Sequence, residues 1–175
     1  MKRAWSMAVV IVILTILAVY QNQTLTMRSS ATAEVKPKIG YLAPSFELPD
    51  LSGRTVRAGG ASDKLTMINF WASWCGPCDL EAPDLQELHE RHADRLLLIG
   101  VNSTKYDRER DARRFVEEHE LTFPILMDRK GNVTELYKVS QFPTTLLVDK
   151  DGIIRERVVG VLSKTHWEAL IDKWS

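Results

Sequence analysis

The chain is poor in cysteine: two, at positions 75 and 78, among 175 residues. Neither stands near the apolar run at the N-terminus, which excludes lipid attachment there. An excess of one charge is lacking too, with 23 Lys and Arg against 23 Asp and Glu. Lys2, Arg3 and Arg28 precede the first acid, so from Glu34 onward 20 bases face 23 acids. With no Lys/Arg run or basic stripe, little would drive counterion release from a phosphate backbone, and nucleic acid is set aside as a partner. No internal repeat divides the chain. An apolar fraction of 45% over this length fits one core and hence one soluble domain.

The N-terminus departs from that composition. Met1-Lys2-Arg3 leads into Ala4 to Tyr20, uncharged and dominated by Val, Ile, Leu and Ala. At about 17 residues the run exceeds the ~7–15 of a cleaved signal core and reaches the ~17–25 of a membrane span. Ala31-Thr32-Ala33 resembles a cleavage site but lies far past the run. A segment apolar all round behind two basic residues reads as an uncleaved signal-anchor over residues 1–20 rather than a core helix. Lys2 and Arg3 would stay in the cytoplasm, which places the rest of this single-pass protein outside. Residues 21–38, rich in Gln, Ser and Thr without apolar period, read as a linker, and residues 39–175 as the domain.

Within the domain, residues 41–60 predict a small hairpin around the turn chemistry of Asp50 to Gly53. Leu65 to Trp71 predicts a buried central strand. A helix follows Cys75 to about His92 with Leu80, Ala82, Leu85 and Leu88 apolar. Arg95 to Val101 predicts a strand, Asp107 to Glu120 a surface helix, Phe123 to Met127 a short strand and Val133 to Val139 a short helix. Thr144 to Val148 and Ile153 to Val159 predict a hairpin, and Ser163 the N-cap of a last helix carrying Trp167, Leu170 and Ile171. Strands alternating with helices imply an α/β sandwich with a mixed sheet.

Phe70 to Cys78 carries the chemistry. On a first helical turn, residues three apart share a face, so Cys75 and Cys78 can come within the ~4.4–6.8 Å between Cα atoms that a disulfide needs. Cys75 would lie at the helix N-terminus, where free N–H groups and the macrodipole favour a thiolate, making it the nucleophile. Cys78, a turn inward, would resolve the mixed disulfide. Pro77 supplies a helical φ, and Gly76 keeps the sulfur uncovered. Two other readings compete. A structural bridge closing so short a loop would stabilise little. Zinc held with His89 and His92 fails on distance, His89 lying about 16 Å along a helix from Cys78, and both histidines are expected to be solvated. No metal and no cofactor is therefore expected.

Trp71-Ala72-Ser73-Trp74-Cys75-Gly76-Pro77-Cys78, Pro83, Phe142-Pro143-Thr144 and Val159-Gly160 together resemble the thioredoxin superfamily. Ala43-Pro44-Ser45-Phe46-Glu47-Leu48 and Glu81-Ala82-Pro83 are similar to its membrane-anchored TlpA/ResA branch, and the likeness covers residues 39–175. It implies a thioredoxin fold with an N-terminal β-hairpin and a central helix-strand insertion. It implies a cis Pro143 facing the cysteines, with Trp74, Gly76, Pro77, Phe142 and Thr144 at the substrate, and a kink at Pro83. Trp71 and Trp74 would cover the disulfide. Where thioredoxins carry a buried aspartate this chain has Asn69, so Glu81, on the Cys78 face, becomes the candidate proton shuttle, as in ResA-like proteins.

The resemblance implies a protein-disulfide reductase. A Gly-Pro spacer is like that of thioredoxin, near about −270 mV, rather than DsbA, near about −120 mV. Electrons would come from a CcdA- or DsbD-type membrane protein, and apocytochrome c would be the first client. General or spore-envelope disulfides are the alternative. A peroxiredoxin-type peroxidase lacks its Pro-x-x-x-Thr-x-x-Cys setting here, and a Sco-type copper carrier would need another cysteine spacing and a histidine elsewhere than His166.

Overall fold

The computed structural model describes residues 34–175, with isolated Ile13 and Thr15. Apart from those two residues the expected anchor lies outside the described residues, and so do residues 21–33 of the expected linker. Among the described residues, no helix is long and apolar enough to cross a membrane. Val35 bridges Leu42, and the Lys36 amide donates to the Leu42 carbonyl at 3.0 Å, so the last residues before the domain already lie against it.

Leu65–Trp71 forms the central strand β3, buried at every residue. Before it, β1 (Phe46–Pro49) and β2 (Thr55–Ala58) pair antiparallel as the expected hairpin. After it come β4 (Leu96–Asn102), β5 (Ile125–Met127), β6 (Thr144–Val148) and β7 (Ile154–Val159). The sheet runs β5-β4-β3-β6-β7. β4 and β5 are parallel to their inner neighbours, whereas β6 and β7 return antiparallel. This is the mixed sheet of a thioredoxin fold. An apolar run without alternation suits a strand covered on both faces.

Side chains alternate across β3, and two cores result. Leu65, Met67 and Trp71 face the helices α1 (Gly76–Arg91), α2 (Glu109–Glu118) and α4 (Lys164–Trp174), packing with Cys78, Ala82, Phe115 and Trp167. Ile68 and Phe70 face the hairpin and the short α3 (Asn132–Leu136), where Phe46, Val133 and Tyr137 meet them. Asn69 therefore shares its face with Met67 and Trp71 and looks toward α1. Gly100, paired with Asn69, leaves room for three neighbours: a Cβ there would stand 2.8 Å from Ile125 Cδ1, 3.1 Å from Phe123 Cε2 and 3.2 Å from the Trp71 indole Nε1.

Some boundaries differ from expectation for local reasons. α3 ends at Leu136 instead of Val139 because Lys138 takes φ 52°, which no right-handed helix continues. α2 begins at Glu109; Thr104–Tyr106 forms a 3₁₀ turn before it, and Asp107 is extended. Ser163 is extended before α4, but its Oγ pairs with His166 Nδ1 at 2.8 Å instead of capping an amide. The expectation of solvated histidines on α1 is corrected: His89 is half-buried with its ring edge-on to Phe123 at 5.8 Å, and burial lowers its pKa. It lies four residues after Leu85 and so borders the apolar stripe.

Candidate active site

A short loop, Ala72 to Cys75, joins the end of β3 to α1, so the two cysteines stand just past the end of the central strand. Cys75 is the N-cap of α1, with φ −85° and ψ 103°, and its Sγ accepts the Cys78 amide at 3.2 Å. That first-turn amide is shared with the Cys75 carbonyl, which it meets at 3.0 Å, and an N–H turned toward a sulfur at a helix start is the arrangement that lowers a thiol pKa. Cys75 and Cys78 are disulfide-bonded with Cα atoms 5.2 Å apart. Pro77 occupies the first turn, where no amide partner is needed. Both cysteines are buried, Cys75 at 4% exposure and Cys78 at 2%, more covered than an open Gly76 alone would suggest. Gly76 and Pro77 are exposed, and a Cβ built on Gly76 would meet nothing within 4 Å. The space over Gly76 is thus free for an approaching chain.

The rim is aromatic. Trp74 is 63% exposed, its ring edge-on to Phe142 at 5.8 Å, while Trp71 lies beneath, stacked on Phe115 at 4.7 Å. The Phe142–Pro143 peptide bond is cis. The Pro143 carbonyl accepts the Gly160 amide at 2.8 Å, and Thr144 Oγ1 donates to the Gln141 carbonyl at 2.8 Å, which fixes this turn at the start of β6. Pro83 lies within α1, which continues through it to Arg91.

Beneath the disulfide, Asn69 of β3 reaches α1. Its Nδ2 donates to Glu81 Oε1 at 2.7 Å and to Thr145 Oγ1 at 2.9 Å. Glu81 is 2% exposed and its Oε2 has no partner among the described residues. Burial pushes its pKa up from 4.5 to about 7, assisted by the Asp84 charge and opposed by the Asn69 hydrogen bond. Asn69, Trp71 and Cys78 line one cavity of about 10 Å³, so the amide that holds Glu81 also borders the inner cysteine. Among the described residues no three His, Cys, Asp or Glu side chains cluster as a metal centre would.

Other residues of this region were not foreseen from the sequence. Asp107 Oδ2 accepts the Ser73 amide at 2.7 Å and Asn102 Nδ2 at 2.8 Å. Its Oδ1 accepts Ser73 Oγ at 2.6 Å and the Arg108 amide at 2.7 Å. Beside it, Trp74 Nε1 donates to the Tyr106 carbonyl at 2.8 Å. The loop before Cys75 is therefore fastened to the segment joining β4 and α2. Ser73 and Asp107 are 34 residues apart, and an aspartate preceding a helix offers only the local signal of a cap.

A dithiol that closes into a disulfide at a helix start, with a cis-proline leading into the strand next to β3, defines a thioredoxin-fold thiol-disulfide oxidoreductase. The chain belongs to the AhpC/TSA family, which it matches over residues 39–157. It is 39% identical over 140 residues to the thioredoxin-like protein YneN of Bacillus subtilis, covering 79% of this chain and 82% of that one. To the thiol-disulfide oxidoreductase ResA of Geobacillus thermodenitrificans it is 36% identical over 136 residues, 76% of each chain. Among solved structures, StoA from Bacillus subtilis superposes with a TM-score of 0.64 at 26% identity, over 72% of this chain and 95% of that one.

Proposed function

We propose that the protein is a membrane-anchored reductant of protein disulfides that works outside the cytoplasm, with Cys75 as nucleophile. The observation that carries the reading is the Cys75 sulfur at the N-cap of α1, taking the Cys78 amide. The Cys75 thiolate attacks a client disulfide, forming a Cys75–client bond and releasing one client sulfur as a thiolate that takes up a proton. Cys78 then attacks Cys75 Sγ, the mixed disulfide breaks, and the second client sulfur leaves. The client has gained two electrons and two protons, and the Cys75–Cys78 disulfide has re-formed.

Cys78 must lose its proton for the second step. Glu81, one turn further along α1 and with a pKa near 7, is poised to take it at neutral pH. The client chain would lie beside Phe142-Pro143-Thr144 and over the open surface of Gly76, bounded by Trp74 and Pro77. The apolar run over residues 4–20 supports an anchor, with Lys2 and Arg3 on the cytoplasmic side. A CcdA- or DsbD-type protein would return electrons across that membrane, and apocytochrome c is the first client to try, ahead of other secreted disulfides.

The direction of exchange is tested by equilibrating the Cys75/Cys78 couple with glutathione or dithiothreitol. A potential near about −270 mV is expected for a reductant; one above about −150 mV would make the protein an oxidase or isomerase.

A further inference from the structure

The fastened loop has an open side. Ser73, Trp74, Tyr106, Asp107, Arg108 and Asp111 line a groove of about 390 Å³, large enough for one bulky side chain. Its walls are two rings, Trp74 at 63% exposure and Tyr106 at 48%. Its floor asks for no polar guest, because both Asp107 oxygens are already filled by Ser73, Asn102 and the Arg108 amide. The groove is continuous with the disulfide's rim: Trp74 precedes Cys75, meets Phe142 with one edge of its ring and holds the Tyr106 carbonyl with its N–H.

Charge at the groove is unevenly committed. Asp111 is met by Arg110 at 3.0 Å and Arg114 at 3.4 Å, and Lys105 by Glu135 at 2.6 Å. Arg108 is exposed, and among the described residues its guanidinium has no partner. One cation is left at the edge of an aromatic slot.

We propose that this groove is a specificity subsite for the client, taking an aromatic or large apolar side chain with an acidic neighbour that meets Arg108. Trp74, a wall of the groove, is the chain neighbour of Cys75, so the guest residue lies close in sequence to the client's reacting cysteine. The proposal rests on the chain exchanging disulfides with protein clients, and it names which clients are preferred. Tyr106 and Arg108 are specificity residues; Asp107 positions the wall that carries them.

The test uses the full chain and short peptides closed by one disulfide, carrying Tyr or Ser and then Glu or Lys beside the cysteine. Neutral 2-hydroxyethyl disulfide, too small to reach the groove, serves as reference. The native protein is expected to favour the Tyr-Glu peptide in kcat/KM. Tyr106→Ala should cut the preference for Tyr over Ser on the order of tenfold, as expected for burying one large apolar side chain. Arg108→Glu should reverse the Glu-over-Lys preference by roughly threefold, the scale of an exposed ion pair. The subsite is overturned if neither preference changes in the variants, or if peptide and reference rates fall together. A native protein that does not exchange the reference disulfide would instead remove the dithiol chemistry beneath the proposal.

Discussion

Replacing Glu81 by Gln should make the protein more stable above neutral pH and change the pH dependence of its stability. The carboxyl is buried, and its pKa stands at about 7 against an ordinary 4.5. Below about pH 4.5 the folded and unfolded chains both hold this proton and the group contributes nothing to the difference. As pH rises from 4.5 toward 7, the unfolded chain loses the proton while the folded one keeps it, so unfolding becomes progressively easier. Above 7 the full cost of an ionised buried carboxylate is present, about 3 kcal/mol at 1.36 kcal/mol per pH unit. Glutamine keeps an oxygen for the Asn69 Nδ2 donor and has no proton to lose in this range. Any cost of burying its amide is independent of pH. Urea unfolding of the oxidised protein and of Glu81→Gln, at intervals from pH 4 to 9, should therefore show the variant gaining on the native chain as pH rises, most of the gain falling between 5 and 8. A gap constant with pH, or one opening below pH 5, would refute the assignment of the raised pKa to Glu81.

Asn69→Ala removes the hydrogen bond that holds the Glu81 pKa down, so the carboxyl should titrate above 7. Carboxyl-carbon NMR of the variant measures this directly; an unchanged titration would separate the two residues. Hydrogen peroxide should not be consumed catalytically, because the only cysteines are the Cys75–Cys78 pair in a Trp-Cys-Gly-Pro-Cys setting. Steady peroxide turnover by the purified chain would bring back the peroxidase alternative.

Much of the fold was legible because its signals are local. The unbroken run Leu65–Trp71 marks a strand covered on both sides, and it is β3 residue for residue. The helix after Cys75 announces itself by Pro77 in its first turn and by the buried Ala82, Leu85 and Leu88. The proximity of Cys75 and Cys78 follows from a helical turn. What escaped is set by contacts between segments far apart in sequence. Nothing near Asp107 tells that it will hold Ser73, or near Tyr106 that its carbonyl will take the Trp74 N–H. In the sequence Asn69 shows only as a residue unable to carry a proton; its role as donor to Glu81 depends on which face of β3 meets α1. The burial of His89 is not legible from spacing alone, because Phe123, which packs edge-on to its ring, comes from the segment before β5.

The division of labour between the two sulfurs can be measured most directly by trapping. A client or peptide disulfide is offered to the Cys78→Ser and Cys75→Ser variants in reduced form, exchange is quenched with acid, and the adducts are mapped by mass spectrometry. With Cys75 at the helix N-cap as the attacking sulfur, Cys78→Ser should accumulate a mixed disulfide through Cys75 and Cys75→Ser should accumulate almost none. Adducts forming through Cys78 as fast as through Cys75, or none forming on Cys75, would contradict the assignment.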